Sequence, residues 1–172
     1  MNWVDLISWA LVLLIVVPIA YAGVSGAPFV MTKKKAAIRM IEEARLKIGD
    51  KAVDLGAGMG LFPLLARKRF GREVSGIELV PVYLLAGKLI LALNGVRPSL
   101  LRYGNFYKMD FAGIDVFFAY LMPETLQALK EKFLKEGKKG AKIVSYAFEI
   151  KGWQPEKIVK EQGSAPIFIY RI

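Results

Sequence analysis

Lys51-Ala52-Val53-Asp54-Leu55-Gly56-Ala57-Gly58-Met59-Gly60 decides the reading of the chain. Lys51 to Leu55 has the composition of a buried strand, Gly56 to Gly60 is a glycine-rich loop, and the following LFPLLARKRFG has the pattern of a helix. Pro63 falls in the first turn of that helix, where a missing amide donor costs little. Strand, glycine loop and helix in that order bring backbone close to a nucleotide-like ligand. One glycine permits the sharp exit from the strand, and another lets a ligand approach without meeting a Cβ.

Spacing separates two ligand classes. A dinucleotide site reads G-x-G-x-x-G and lays a pyrophosphate on the helix N-terminus. Here the loop is D-L-G-x-G-x-G, with Asp54 two residues ahead of the first glycine. A carboxylate at that point suits a cationic group and repels phosphate. S-adenosylmethionine, which carries an ammonium and a sulfonium, is therefore the expected cofactor. The next strand, EVSGIEL, ends at Glu78, about 20 residues beyond the loop, where a carboxylate can accept both ribose hydroxyls. NAD sites share that feature. Asp54, Gly56, Gly58, Gly60 and Glu78 are the candidate cofactor-binding residues; the plainer alternative makes Asp54 a turn cap and Glu78 an exposed strand end.

Beyond Glu78 the pattern alternates. A helix is expected from Val80 to Leu93, stopped by Asn94-Gly95, then a strand SLLRYGN ending near Gly104-Asn105-Phe106. Asn105 could bond the adenine edge with Phe106 packed nearby, or simply be a turn residue. DVFFAYL, from Asp115 to Leu121, reads as a central parallel strand, Pro123 to Lys135 as a helix, and KIVSYAF as another strand. Two short strand-like runs around Gln162-Gly163-Ser164 predict a closing hairpin with an antiparallel strand at the sheet's end. The expected fold is α/β: a mostly parallel sheet with helices on its faces.

Upstream, Leu6 to Val24 runs LISWALVLLIVVPIAYAGV with no charge. At 1.5 Å per residue it could cross a hydrocarbon core of roughly 30 Å, with Trp3, Trp9 and Tyr21 toward its ends. Ala20-Tyr21-Ala22 resembles a signal-peptide cleavage site, but basic residues follow the run rather than precede it: Lys33, Lys34, Lys35 and Arg39. That order predicts a retained single-pass anchor at the membrane with the domain on the cytoplasmic side. Residues 1–25 would be the anchor, 26–50 a connector and leading helix, and 51–172 the cofactor-binding domain. GVSGAPFVMT reads as the connector, and Thr32 as a cap for the helix after it. The lysine run is a solvated helix face or a contact for anionic lipid.

The chain has 172 residues, 55% of them hydrophobic, enough for one domain with a core. It contains no cysteine and no histidine, which removes disulfides, thiolate nucleophiles and imidazole bases, and no metal site is expected. The formal net charge of +10 points unspecifically to an anionic partner.

DLGAGMG, GIEL, FAYLMPETL and VSYAFEIKGWQPEKI together resemble the small seven-strand protein-lysine methyltransferases. These include archaeal broad-specificity enzymes and membrane-anchored mitochondrial enzymes acting on the ATP synthase c subunit and the adenine nucleotide translocase. The likeness spans about residues 28 to 172, with PFVMT before the first helix of the domain. It implies a Rossmann-like class I methyltransferase fold, S-adenosylmethionine as methyl donor, and a lysine-bearing protein, expected at the membrane, as substrate, with membrane lipid a second partner. Tyr120 and Trp153 are the catalytic candidates it suggests, with Phe148 as a further aromatic wall. Members of that group commonly have an acid where this chain has Met59.

Methyl transfer to an amine needs placement above all, because the sulfonium is already an activated electrophile. The rival classes are a nucleic-acid or small-molecule methyltransferase and a non-catalytic tethered binding module. Tyr120-Leu121-Met122-Pro123 departs from the Asn/Asp-Pro-Pro-aromatic motif of base-amino methyltransferases, so no nucleic-acid partner is expected.

Overall fold

The structure, a computed structural model, describes residues 2–24 and 32–172. The elements in chain order are α1 (Trp3–Val24), α2 (Lys34–Ala44), β1 (Ala52–Leu55), α3 (Leu61–Phe70), β2 (Ser75–Glu78), α4 (Pro81–Leu93), β3 (Leu101–Tyr103), β4 (Val116–Ala119), α5 (Pro123–Glu136), β5 (Lys142–Tyr146), β6 (Lys157–Val159) and β7 (Ile167–Arg171). The connector expected over 23–32 and the PFVMT match lie almost wholly outside the described residues. Thr32 does not cap α2; Lys33 holds that position without a side-chain bond.

The strands form one sheet in the order β3-β2-β1-β4-β5-β7-β6. β1 to β5 are parallel to one another, and β7 runs antiparallel between β5 and β6. The expected terminal hairpin forms, with one difference: the last strand is inserted beside β5, leaving β6 at the edge. Burial explains the choice. In β7, Ile167, Phe168, Ile169 and Tyr170 are all buried, whereas Lys157 and Ile158 of β6 are exposed. The more apolar strand takes the covered position.

Period-two alternation sorts the side chains onto two faces. On one face Val116, Phe118, Val144, Tyr146, Ile167 and Ile169 share a core with α2 and α3, through residues such as Met40 and Phe62. On the other, Phe117, Ala119, Ile143 and Tyr170 pack with Leu126, Leu129 and Phe133 of α5. Helix α4 covers the β2–β3 end through Leu84 and Leu91 against Leu101.

The N-terminal segment is helical, but among the described residues no helix is long and apolar enough to cross a membrane. α1 opens on a polar cap: the Asp5 amide donates to Asn2 Oδ1 at 2.8 Å, and Ser8 Oγ donates to the Val4 carbonyl at 2.7 Å. With no helix of that length and apolarity among the described residues, the expected membrane localisation, single-pass with the domain on the cytoplasmic side, is overturned.

Candidate active site

Strand order reverses between β1 and β4, and open parallel sheets take their ligands at the carboxyl ends of the strands flanking such a switch. Asp54 lies there, in register with Phe118 of β4 and Gly76 of β2. The glycine loop leaves β1 at once. The Gly56 and Ala57 amides both donate to the Ile77 carbonyl, at 3.1 and 3.0 Å, which folds the loop over the end of β2. Gly58 sits at φ 52° and turns its amide onto Glu78 Oε2 at 2.7 Å. The other oxygen, Oε1, accepts the Val80 amide at 2.7 Å at the start of α4. One buried carboxylate therefore fixes both the loop and the mouth of the next helix.

Asp54 is in the opposite condition. It is 5% exposed and accepts no hydrogen bond from any described residue. Burial pushes its carboxyl up to about 8, with the nearby Glu78 carboxylate adding to the rise. Two acids stand over bare backbone, one satisfied and one not. S-adenosylmethionine fits that arrangement. Its positive charge offsets the cost of ionising Asp54, while Glu78, with two bonds made, keeps lone pairs for hydroxyl donors.

Asn105 closes its own turn: Oδ1 accepts the Tyr107 amide at 2.9 Å at the head of a short 3-10 turn, Phe106–Lys108. Phe106 is buried, with its ring 4.8 Å from that of Tyr107.

Tyr120 follows β4 directly. Its ring stacks on Phe148 at 6.4 Å and 19° and meets Tyr146 edge-on at 5.0 Å. Trp153 packs elsewhere, against Tyr170 at 5.7 Å, among the side chains of the α5 face. The sequence expectation joined Tyr120, Phe148 and Trp153; the structure joins Tyr120 to Phe148 and adds Tyr146, which the same-face alternation from Val144 could have flagged. Gly87 was also missed. A Cβ there would stand 2.7 Å from Leu101 Cδ1 and 2.9 Å from the Met59 carbonyl carbon, so this mid-helix glycine lets α4 lie directly on the cofactor loop.

Sheet order, switch point and glycine loop define the Rossmann-like methyltransferase fold. A solved structure of an RNA methyltransferase from Salinibacter ruber, in complex with S-adenosyl-L-homocysteine, superposes with a TM-score of 0.78 at 28% identity, covering 83% of this chain and 94% of that one. The ANTKMT methyltransferase domain matches residues 54–157. A protein-lysine N-methyltransferase of Saccharolobus islandicus is 33% identical over 86% of this chain and 93% of its own length. The mouse adenine nucleotide translocase lysine N-methyltransferase is 30% identical over 71% of this chain and 53% of its own length. The chain belongs to the ANTKMT methyltransferase family, and it is an S-adenosylmethionine-dependent methyltransferase.

Proposed function

We propose that this enzyme methylates lysine side chains of proteins. The observation that carries the reading is the aromatic group Tyr120, Tyr146 and Phe148 at the carboxyl ends of β4 and β5, one strand over from Asp54. The printed activities of the Saccharolobus and mouse relatives support the acceptor class.

S-adenosylmethionine, when bound, supplies an activated methyl group. Asp54 would face its positive charge, Gly56 and Gly58 would give it room at the backbone, and Glu78 would receive the ribose hydroxyls, while Gly60 shapes the loop by sparing Leu101, whose Cδ1 would stand 2.8 Å from a Cβ there. Asn105 and Phe106 would bound the adenine end. Tyr120 and Phe148 line the approach of the acceptor chain, with Tyr146 bracing Tyr120 from behind. Trp153 sits on the segment after β5 and acts through that segment's shape. An amine must shed its proton and water to react, and stacked rings provide a dry wall without competing for the nitrogen as bases. A cation held against ring faces gains about 0.5–2 kcal/mol.

The test is transfer of labelled methyl groups from S-adenosylmethionine to a protein mixture, with the modified residue identified by mass spectrometry. Label on lysine is expected, and Tyr120→Ala is expected to lower kcat/KM about 10- to 30-fold, in line with the loss of an aromatic contact worth 1.5–2 kcal/mol. A second reading, an RNA acceptor, is favoured by the printed name of the Salinibacter protein and by the net charge of +10. Label appearing in RNA and in no protein would select it.

A further inference from the structure

The segment after β5 carries Phe148 and Trp153, and its path is unusual. Ala147 has φ 70°, in the left-handed region that a residue with a Cβ rarely adopts, and its amide donates to the Pro166 carbonyl at 2.8 Å. Side chains from separate elements then hold the turn. Ser145 Oγ donates to the Phe148 carbonyl at 2.7 Å, and the Ile150 amide donates to the Tyr170 hydroxyl at 2.8 Å. The Trp153 amide returns to the Ile150 carbonyl at 3.1 Å. That tight turn, with Gly152 at φ 66°, directs the carbonyls of Lys151 and Gly152 toward α5.

Lys130 meets both. Its ammonium donates to the Lys151 carbonyl and to the Gly152 carbonyl, each at 3.0 Å. A Cβ on Gly152 would lie 3.2 Å from the same Nζ, so the ammonium sits close against a turn whose φ of 66° favours glycine. Lys130 stands on α5, the helix that leaves the end of β4 just after Tyr120. It thus ties the segment bearing Phe148 and Trp153 to the element that begins beside Tyr120, and the two sides of the aromatic wall are joined through one ammonium.

We infer that Lys130 is a positioning residue for methyl transfer, fixing the segment from Phe148 to Trp153 against α5 so that Phe148 meets Tyr120 at the spacing the acceptor side chain requires. The inference rests on the lysine-acceptor reading above. The two bonds hold a loop rather than the sheet, so their loss is felt by the loop first.

The experiment compares wild type with Lys130→Met, which keeps the aliphatic stem and removes the donors, and with Lys130→Arg, which restores them. Steady-state methyl transfer to a lysine peptide is measured alongside direct binding of S-adenosylmethionine. In a Trp3→Phe/Trp9→Phe background, where Trp153 is the remaining indole, iodide quenching reports the loop itself. The expected result for Lys130→Met is a KM for the peptide raised about tenfold, unchanged cofactor affinity, and faster quenching of Trp153, with partial rescue by Lys130→Arg. An unchanged peptide KM with only a lowered melting temperature would overturn the inference, as would cofactor affinity falling in parallel with KM. If wild type transfers no methyl group to lysine while quenching still responds to Lys130→Met, the acceptor reading is what fails.

Discussion

Asp54 concentrates the argument at the scale of a single residue. Its carboxyl, raised from 3.8 to about 8 by burial first and by Glu78 second, holds a proton in the free enzyme that the unfolded chain has released. The folded state therefore binds more protons than the unfolded one between those values, and this group makes stability fall as pH rises from about 4 to about 8. Asp54→Asn mimics the protonated form. Melting temperatures of the two proteins without cofactor should coincide at about pH 4 and below and separate toward pH 8, the variant being the more stable; parallel profiles would refute the assignment. A cationic ligand favours the ionised form, so S-adenosylmethionine should bind wild type more tightly as pH approaches 8. Asp54 and Glu78 were legible as acids flanking a glycine loop, because spacing alone carries that signal. The bonds from Gly58 and Val80 to Glu78 were not, since they depend on where two separate backbone turns end.

Single elements carry their own tests. Helix α4 rests on the loop only because Gly87 lacks a Cβ, and Gly87→Ala should destabilise the domain by about 1–3 kcal/mol while weakening cofactor binding, since the clash falls on Met59 main chain. A variant that binds S-adenosylmethionine normally would show that the loop does not need this contact. Helix α2 is clamped to the closing hairpin by Glu43, which is 9% exposed and meets Arg39 Nη2 at 2.7 Å and Lys157 Nζ at 2.6 Å. Burial opposes ionisation of Glu43, but Lys157 and Arg39 outweigh it and hold the carboxyl below its ordinary value. That contribution is present at neutral pH and is lost as pH falls through the acid range. Glu43→Ala should cost about 1–2 kcal/mol in urea denaturation at pH 7, less at pH 3, with S-adenosylmethionine binding unchanged. The helix and the hairpin were both readable from periodicity and turn residues. Their clamp pairs residues 43 and 157, a separation at which local pattern is silent.

Across the whole molecule, strand order converts a ten-residue motif into a site. Alternating strands and helices announced the parallel sheet, and the reversal between β1 and β4 places Asp54 near the end from which Tyr120 emerges. The aromatic wall was only half legible: Tyr120 and Phe148 meet, Tyr146 joins them, and Trp153, although it packs against the same α5-face cluster as Phe148, lies against Tyr170 instead. The membrane localisation expected from the apolar N-terminal run is the reading the structure reverses, since among the described residues no helix is long and apolar enough to cross a bilayer. Calorimetric titration of S-adenosylmethionine into the wild-type enzyme and into Asp54→Ala tests the central claim most directly. The account predicts a one-to-one isotherm for wild type and affinity weaker by about a hundredfold for the variant, the loss expected for a buried charge contact of roughly 3 kcal/mol, with its fold intact by circular dichroism. Equal affinity in the two proteins would contradict it.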